Sequence, residues 1–99
     1  ERYYKDALKI YIEYNDRYEQ AGTLHQLGRV AEEQREWSEA ISYGLEAAEI
    51  FTEYHDQHSL QIVLGGLTRI WQETKDRYVI EKLSSLLNLT HEECEELLN

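Results

Sequence analysis

Residues 7–36, ALKIYIEYNDRYEQAGTLHQLGRVAEEQRE, lie without a gap over residues 47–76, AAEIFTEYHDQHSLQIVLGGLTRIWQETKD. At this offset of forty the identical pairs are Ala7/Ala47, Ile10/Ile50, Glu13/Glu53, Tyr14/Tyr54, Asp16/Asp56, Leu24/Leu64, Leu27/Leu67, Arg29/Arg69 and Glu33/Glu73. Other pairs keep their character, as in Tyr11/Phe51, Val30/Ile70 and Arg35/Lys75. A fixed period of roughly 20–50 residues marks a stacked-repeat architecture, in which each unit buries its apolar face only against its neighbours. Such arrays work by presenting extended surfaces, so the pattern predicts a binding scaffold and not an enzyme.

Composition narrows the reading further. The chain has 99 residues, 41% of them apolar, which suits one domain with one contiguous core. The absence of proline and the presence of only five glycines favour long helices, since proline inside a helix costs about 3 kcal/mol. Twenty acidic against ten basic residues give a formal charge of −10. That field repels phosphate backbones and anionic surfaces, so neither nucleic acid nor membrane is an expected partner. The single cysteine cannot form an internal disulfide, and no stretch reads as a signal or transmembrane segment; the expected location is cytoplasmic. The chain opens at Glu1-Arg2-Tyr3-Tyr4 in mid-helix pattern, without an initiator methionine or a cap. It reads as a piece of a longer array, whose neighbouring repeats would be natural partners.

The apolar spacing predicts helices separated by short turns. Residues 1–14 carry Tyr4, Ala7, Leu8, Tyr11 and Tyr14 as a core-facing stripe, and Asn15-Asp16 ends it. A second helix over 18–34 shows Ala21, Leu24, Leu27, Gly28 and Ala31, the small residues admitting close approach of another helix. The third runs from Trp37 through Ala40, Ile41, Gly44, Ala47, Ala48 and Phe51 to Tyr54, where His55-Asp56 repeats the earlier break. The fourth, about 58–74, aligns Leu60, Val63, Leu64, Leu67, Ile70 and Trp71. A fifth over 77–87 carries Val79, Ile80, Leu83, Leu86 and Leu87, and a sixth starts at Thr90. There Thr90 and Glu93 form a capping box, with Leu89 and Cys94 placed as a hydrophobic staple.

Leu24-x2-Leu27-Gly28-x2-Ala31, followed by Ala40, Gly44 and Ala47, resembles the tetratricopeptide repeat. Arg35-Glu36-Trp37 stands where that family turns, although Ala31 and Gly44 replace larger residues and no proline closes the unit. The period of forty is similar to the longer-helix subclass found in kinesin light chains and in the sensor arms of large bacterial signalling ATPases. The resemblance implies an all-α, right-handed solenoid of antiparallel helix pairs. In it, 1–14 is the second helix of a partial repeat, 18–54 a full repeat and 58–76 the first helix of the next. Residues 77–99, where the pattern decays, would be a C-terminal capping helix pair that turns a polar face to water. A helix-turn-helix over Leu86 to Glu93 is the rival reading of this segment, and its acidic character argues against DNA.

The resemblance also places ligands along the concave wall made by the first helix of each repeat. Carried over, that wall shows Gly22, His25, Gln26, Arg29, Glu32 and Glu33, then Ile62, Gly65, Gly66, Arg69, Gln72 and Glu73. The lysines and asparagines of the family's carboxylate clamp are absent from these positions. Arg29 and Arg69 would stack about 8–10 Å apart. An extended peptide advances roughly 3.3 Å per residue, so two acidic side chains about three residues apart would each meet one arginine. Glu32, Glu33 and Glu73 beside them favour a mixed, weakly acidic ligand. The plainer alternative is that Arg29/Glu33 and Arg69/Glu73 are exposed intrahelical pairs, worth about 0.2–0.5 kcal/mol each.

Other chemistry finds little support. Gly65-Gly66 lacks the lysine or serine of a phosphate loop and reads as a close helix approach or a groove floor. His55-x2-His58 and His91-x2-Cys94 have zinc-like spacing, but the turn and staple roles of these residues account for them, and no metal or cofactor is expected. No nucleophile motif is present. Tyr3, Tyr18 and Tyr78 are candidate contact residues off the core stripes. The expected function is a non-catalytic protein- or peptide-binding module. The alternatives are a structural terminator of a larger array in a multidomain signalling protein, or an oligomerisation segment self-associating through exposed Tyr4, Ala7, Leu8 and Tyr11 of the first helix.

Overall fold

Each break in the apolar pattern becomes a turn. The computed structural model describes residues 2–99, and these form six α-helices and no strand. The helices are α1 (Arg2–Glu13), α2 (Arg17–Glu33), α3 (Trp37–Glu53), α4 (Gln57–Thr74), α5 (Arg77–Leu87) and α6 (His91–Leu98). The fold is all-α, as the sequence predicts, with helix ends within one or two residues of the expected ones.

The turns are more regular than the side chains that make them. Asn15, Arg35, His55 and Lys75 all take the left-handed conformation, with φ of 55°, 59°, 56° and 53°. The residues that follow them, Asp16, Glu36, Asp56 and Asp76, are the N-caps of the next helices. As far as Lys75 the chain therefore turns every twenty residues, at half the sequence period, and the next left-handed turn comes sooner, at Asn88. In the first three turns a 6→1 bond closes the helix: Asp16 N–H to Tyr11 O at 2.8 Å, Glu36 N–H to Ala31 O at 2.9 Å and Asp56 N–H to Phe51 O at 3.0 Å. A second bond joins the left-handed residue to the carbonyl three before it, which completes a Schellman motif. Three of the caps then start a helix with a carboxylate. Asp16 accepts from Glu19 N–H at 3.2 Å, Asp56 from Ser59 N–H at 3.1 Å and Asp76 from Tyr78 N–H at 3.0 Å.

α1 packs on α2, α2 on α3, α3 on α4 and α5 on α6, α2 on α3 most extensively, while α5 packs on α3 rather than on its neighbour α4. Gly28 of α2 sits against α3 so closely that a Cβ there would lie 3.5 Å from Tyr43 Cβ and 3.6 Å from Gly44 N. Gly44, where the repeat pattern expects a larger residue, has its space taken by α4: a Cβ would stand 2.9 Å from Leu67 Cδ2. One apolar cluster runs from Ala21 to Leu98. It includes fully buried Val79, Ile80, Leu83 and Cys94 of the last two helices. The capping box of α6 is formed, with Glu93 N–H donating to Thr90 Oγ1 at 3.1 Å and Thr90 N–H to Glu93 Oε1 at 2.9 Å. The end of the chain ties back to α4, where Trp71 Nε1–H donates to Asn99 Oδ1 at 2.9 Å and Gln72 Nε2–H to Leu98 O at 3.1 Å.

The first helix departs from expectation. None of its residues is buried. Tyr4, Ala7, Leu8 and Tyr11, expected as the exposed self-association face, are half-buried, and Tyr14, expected in the core stripe, is 79% exposed. The apolar residues left in solvent are Tyr3, Ile10, Ile12 and Tyr14. The reason is that α1 packs chiefly on α2, and a helix covered on one side buries only part of a wide apolar arc. Among the described residues no helix is long and apolar enough to cross a membrane.

Candidate functional site

The C-terminal halves of α2 and α4 and the α2–α3 turn enclose an open groove of about 640 Å³. Six of the predicted residues line it: Arg29, Glu32, Glu33, Arg69, Gln72 and Glu73. Arg35 and Trp37 complete it from the turn and the first turn of α3. The sequence reading left these two out of the wall, taking Arg35 as a turn residue and Trp37 as the start of the third helix's apolar stripe, although an arginine and a tryptophan two apart beside the wall were a usable signal.

The charges in the groove are balanced, three arginines against three glutamates, in a chain whose formal charge is −10. Their pairing corrects the sequence expectation. Arg69 does not pair with Glu73 on its own helix. It crosses to α2, where Nε–H and an Nη–H donate to the two carboxylate oxygens of Glu32 at 3.0 and 3.2 Å. Glu73 instead approaches Arg35 at 3.5 Å. The intrahelical alternative fails because the carboxylate of the neighbouring helix offers Arg69 a bidentate fit that an i,i+4 partner does not. The Glu32 bond holds the Arg69 guanidinium above its ordinary pKa. Two free arginines are therefore not on offer. Arg29 alone is exposed and forms no ion pair among the described residues. The Arg35 guanidinium lies 5.9 Å from the Trp37 ring centroid, which leaves half-buried Trp37 as the groove's aromatic surface.

His25 and Gly66 border the same place one turn earlier, lining a narrow crevice with Arg29, Glu32 and Arg69. Burial pushes the His25 imidazole below its ordinary pKa, and the Arg29 and Arg69 charges push it further the same way. A Cβ on Gly66 would lie 3.5 Å from the Arg69 guanidinium, so this glycine sits beneath the Glu32–Arg69 bridge. Gly65 has nothing within 4 Å of its absent Cβ, so the expected close helix approach does not occur there. Gln26 and Gly22 belong elsewhere too. They line a separate crevice with Tyr3, Tyr4, Ala7 and Tyr11, between α1 and α2.

The candidate tyrosines divide. Tyr18 is a packing residue: its ring meets Phe51 and Tyr54 edge-on at 5.7 and 5.2 Å, and its hydroxyl donates to the Asp56 carboxylate. That bond, with the Ser59 N–H, holds Asp56 below the ordinary carboxylate range. Beside it Arg17 donates twice to Glu53, at 2.8 Å each, and lowers the Glu53 pKa. Tyr3 and Tyr78 are exposed. Among the described residues no three His, Cys, Asp or Glu side chains gather as a metal site. His55, His58 and His91 are exposed, and Cys94 is buried with its thiol pKa pushed up by that burial.

Comparisons with protein-family models, with curated proteins and with solved structures return no match for this chain. What the groove can bind follows from its own residues: the cation of Arg29 and the carboxylate of Glu33, neither in an ion pair among the described residues, the aromatic face of Trp37, and no net charge.

Proposed function

We propose that this chain is a non-catalytic scaffold module of tetratricopeptide type, a right-handed solenoid of antiparallel helix pairs that holds a protein or peptide segment in the α2–α4 groove. The observation that carries the reading is the recurrence of the same Schellman turn at 15, 35 and 55, with a left-handed residue again at 75, because helices of similar length joined by like turns stack as a superhelix. Antiparallel pairing is supported where Arg17 at the start of α2 meets Glu53 at the end of α3, while Gly28 meets Gly44 midway. Parallel stacking of alternate helices is supported by Glu32 and Arg69, each near the end of its helix. Residues 77–99 act as the cap, burying Val79, Ile80 and Leu83 inward and leaving Glu81, Glu92 and Glu96 in water.

The ligand that suits the groove is an extended segment with one acidic side chain for Arg29 and an apolar one for Trp37. A second acidic residue gains little, since Arg69 and Arg35 are already engaged by Glu32 and Glu73. Panning a random-peptide display library against the immobilised chain tests this. Enriched peptides should carry that acidic and apolar pair. Their affinity should fall roughly tenfold or more with Arg29→Ala or Trp37→Ala, the loss expected for an anchoring side chain. Glu46→Ala, in the crevice between α3 and α5, should leave affinity unchanged. No enrichment, or equal binding by all variants, would remove the groove from the account.

A further inference from the structure

The end of α3 seats the first two residues of α2. Arg17 donates to both carboxylate oxygens of Glu53, the Tyr18 ring meets Phe51 and Tyr54 edge-on, and its hydroxyl donates to Asp56. At the offset of forty the same set recurs at the end of α1, as Tyr11, Glu13, Tyr14 and Asp16. Three of these are identical to their counterparts, and Tyr11 keeps the aromatic ring of Phe51. The backbone recurs too, because both sets close on a Schellman turn with φ of 55° at Asn15 and 56° at His55. Asp16, like Asp56, caps the next helix through one carboxylate oxygen, which leaves the other for a hydroxyl.

No helix covers the set on α1. Glu13 and Asp16 are exposed, and Glu13 forms no ion pair among the described residues. Along the same flank Ile10 is 51% exposed where Ile50 is 3% exposed, and half-buried Ala7 stands where Ala47 is fully buried. One charge differs: Arg17 also approaches Glu49 at 3.5 Å, and Lys9 holds that position on α1, so an incoming arginine rests on Glu13 alone. The helix that fits must also be small where it crosses, as Gly28 is against Tyr43 and Gly44, because Tyr3 and Tyr4 are the counterparts there. Arg-Tyr opens α1 and α5 as well as α2, yet eleven residues after the arginine α1 has Glu13, and α5 has already ended before Asn88. Only α2 carries the whole set, and it is engaged on α3. The occupant therefore comes from outside these residues.

We propose that Tyr11, Glu13, Tyr14 and Asp16 form a docking site for a helix of a partner protein, one that opens with Arg-Tyr, carries a small residue ten positions after the tyrosine and runs antiparallel to α1. Its arginine pairs with Glu13, its tyrosine ring packs on Tyr11 and Tyr14 with the hydroxyl on Asp16, and its small residue lets it close on Tyr3. This surface is separate from the groove between α2 and α4 and does not depend on what that groove binds.

Amide chemical-shift titration of the isotopically labelled chain tests the proposal, with a synthetic peptide of residues 16–35 as the probe, taken up to about 1 mM so that weak binding registers. The largest shifts should fall at residues 3–16. Arg17→Glu or Tyr18→Ala in the peptide, or Glu13→Lys in the chain, should each weaken binding about tenfold, and Glu13→Lys met by Arg17→Glu should restore it. Because a free helix of this length is marginal in water, the segment is also tested tethered, with a copy of residues 17–40 placed ahead of Glu1, the join that the counterpart positions 41 and 1 dictate. The melting temperature should rise by about 5 °C or more, and Glu13→Lys should remove most of the rise. No shift with the free peptide together with no rise for the tethered copy overturns the proposal, as do effects that Glu13→Lys and Tyr18→Ala leave intact. Self-association of the chain alone up to about 1 mM, lost in Arg2→Glu, would seat a second copy there and likewise overturn it.

Discussion

The Arg69 guanidinium closes on the Glu32 carboxylate through two hydrogen bonds, 3.0 and 3.2 Å, joining α4 to α2 across 37 residues of chain. Glu32 is the more enclosed partner, its side chain 21% exposed against 62% for Arg69. Its position fixes how much positive charge the groove offers.

Glu32→Gln should lower stability by only about 0.5–1 kcal/mol, the upper range for a partly exposed bidentate pair. It should at the same time free Arg69 and strengthen the binding of peptides with two acidic residues. Urea unfolding with a double-mutant cycle against Arg69→Gln reads the first effect, and titration calorimetry with singly and doubly acidic peptides the second.

Two glycines of similar helical position should respond in opposite directions. Gly65→Ala meets open space and should stabilise by about 1 kcal/mol through helix propensity alone. Gly44→Ala drives a methyl to 2.9 Å from buried Leu67 and should cost about 1–3 kcal/mol. Thermal melts of the two variants side by side check the contrast.

Each of the five turns, that at Asn88 included, places a residue other than glycine in the left-handed region. His55, at φ 56°, is the cleanest position to relieve, and His55→Gly should raise stability by about 1 kcal/mol. His55→Val should lower it. A shift in the urea midpoint with unchanged slope is the readout.

Stability should fall as pH is lowered from 7, in two stages. His25 has a folded pKa below its ordinary 6.5, so the unfolded chain takes up the proton first. Its neutral form gives full stability above 6.5, and that contribution is lost as pH falls through 6.5 towards the lower folded value. The Glu53 carboxyl, held below 4.5 by Arg17, acts only further down: its contribution is present above 4.5 and lost as pH falls through its folded pKa. His25→Gln should flatten the first stage and leave the second. Chemical denaturation at half-unit pH steps separates them.

The offset of forty made helix positions legible, because it aligns Leu24 with Leu64 and Leu27 with Leu67 on the same face. It did not reveal the twenty-residue turn rhythm. Asn15, Arg35, His55 and Lys75 share a backbone conformation without a common side chain, and the residue pattern that marks the rhythm is the acid that follows each of them, at 16, 36, 56 and 76. Six of the residues read onto the wall stand together in the groove, since helical spacing alone puts Arg29, Glu32 and Glu33 on one face. Their pairing was out of reach, because Glu32 finds Arg69 only after α2 and α4 have been brought side by side. Gln26 was assigned to the wall from position within the helix, yet it turns into the α1–α2 crevice, where the packing of α1 decides the outcome.

The central claim is that a peptide lies between α2 and α4 against the α2–α3 turn. Amide chemical-shift mapping with an enriched peptide tests it most directly. The account predicts that the largest shifts fall at residues 29–37 and 69–73, with the Trp37 indole N–H among them, while α1, α3 beyond its first turn and α5 stay still. Shifts concentrated on α1 or on the α3–α5 side, or none at saturating peptide, would contradict it.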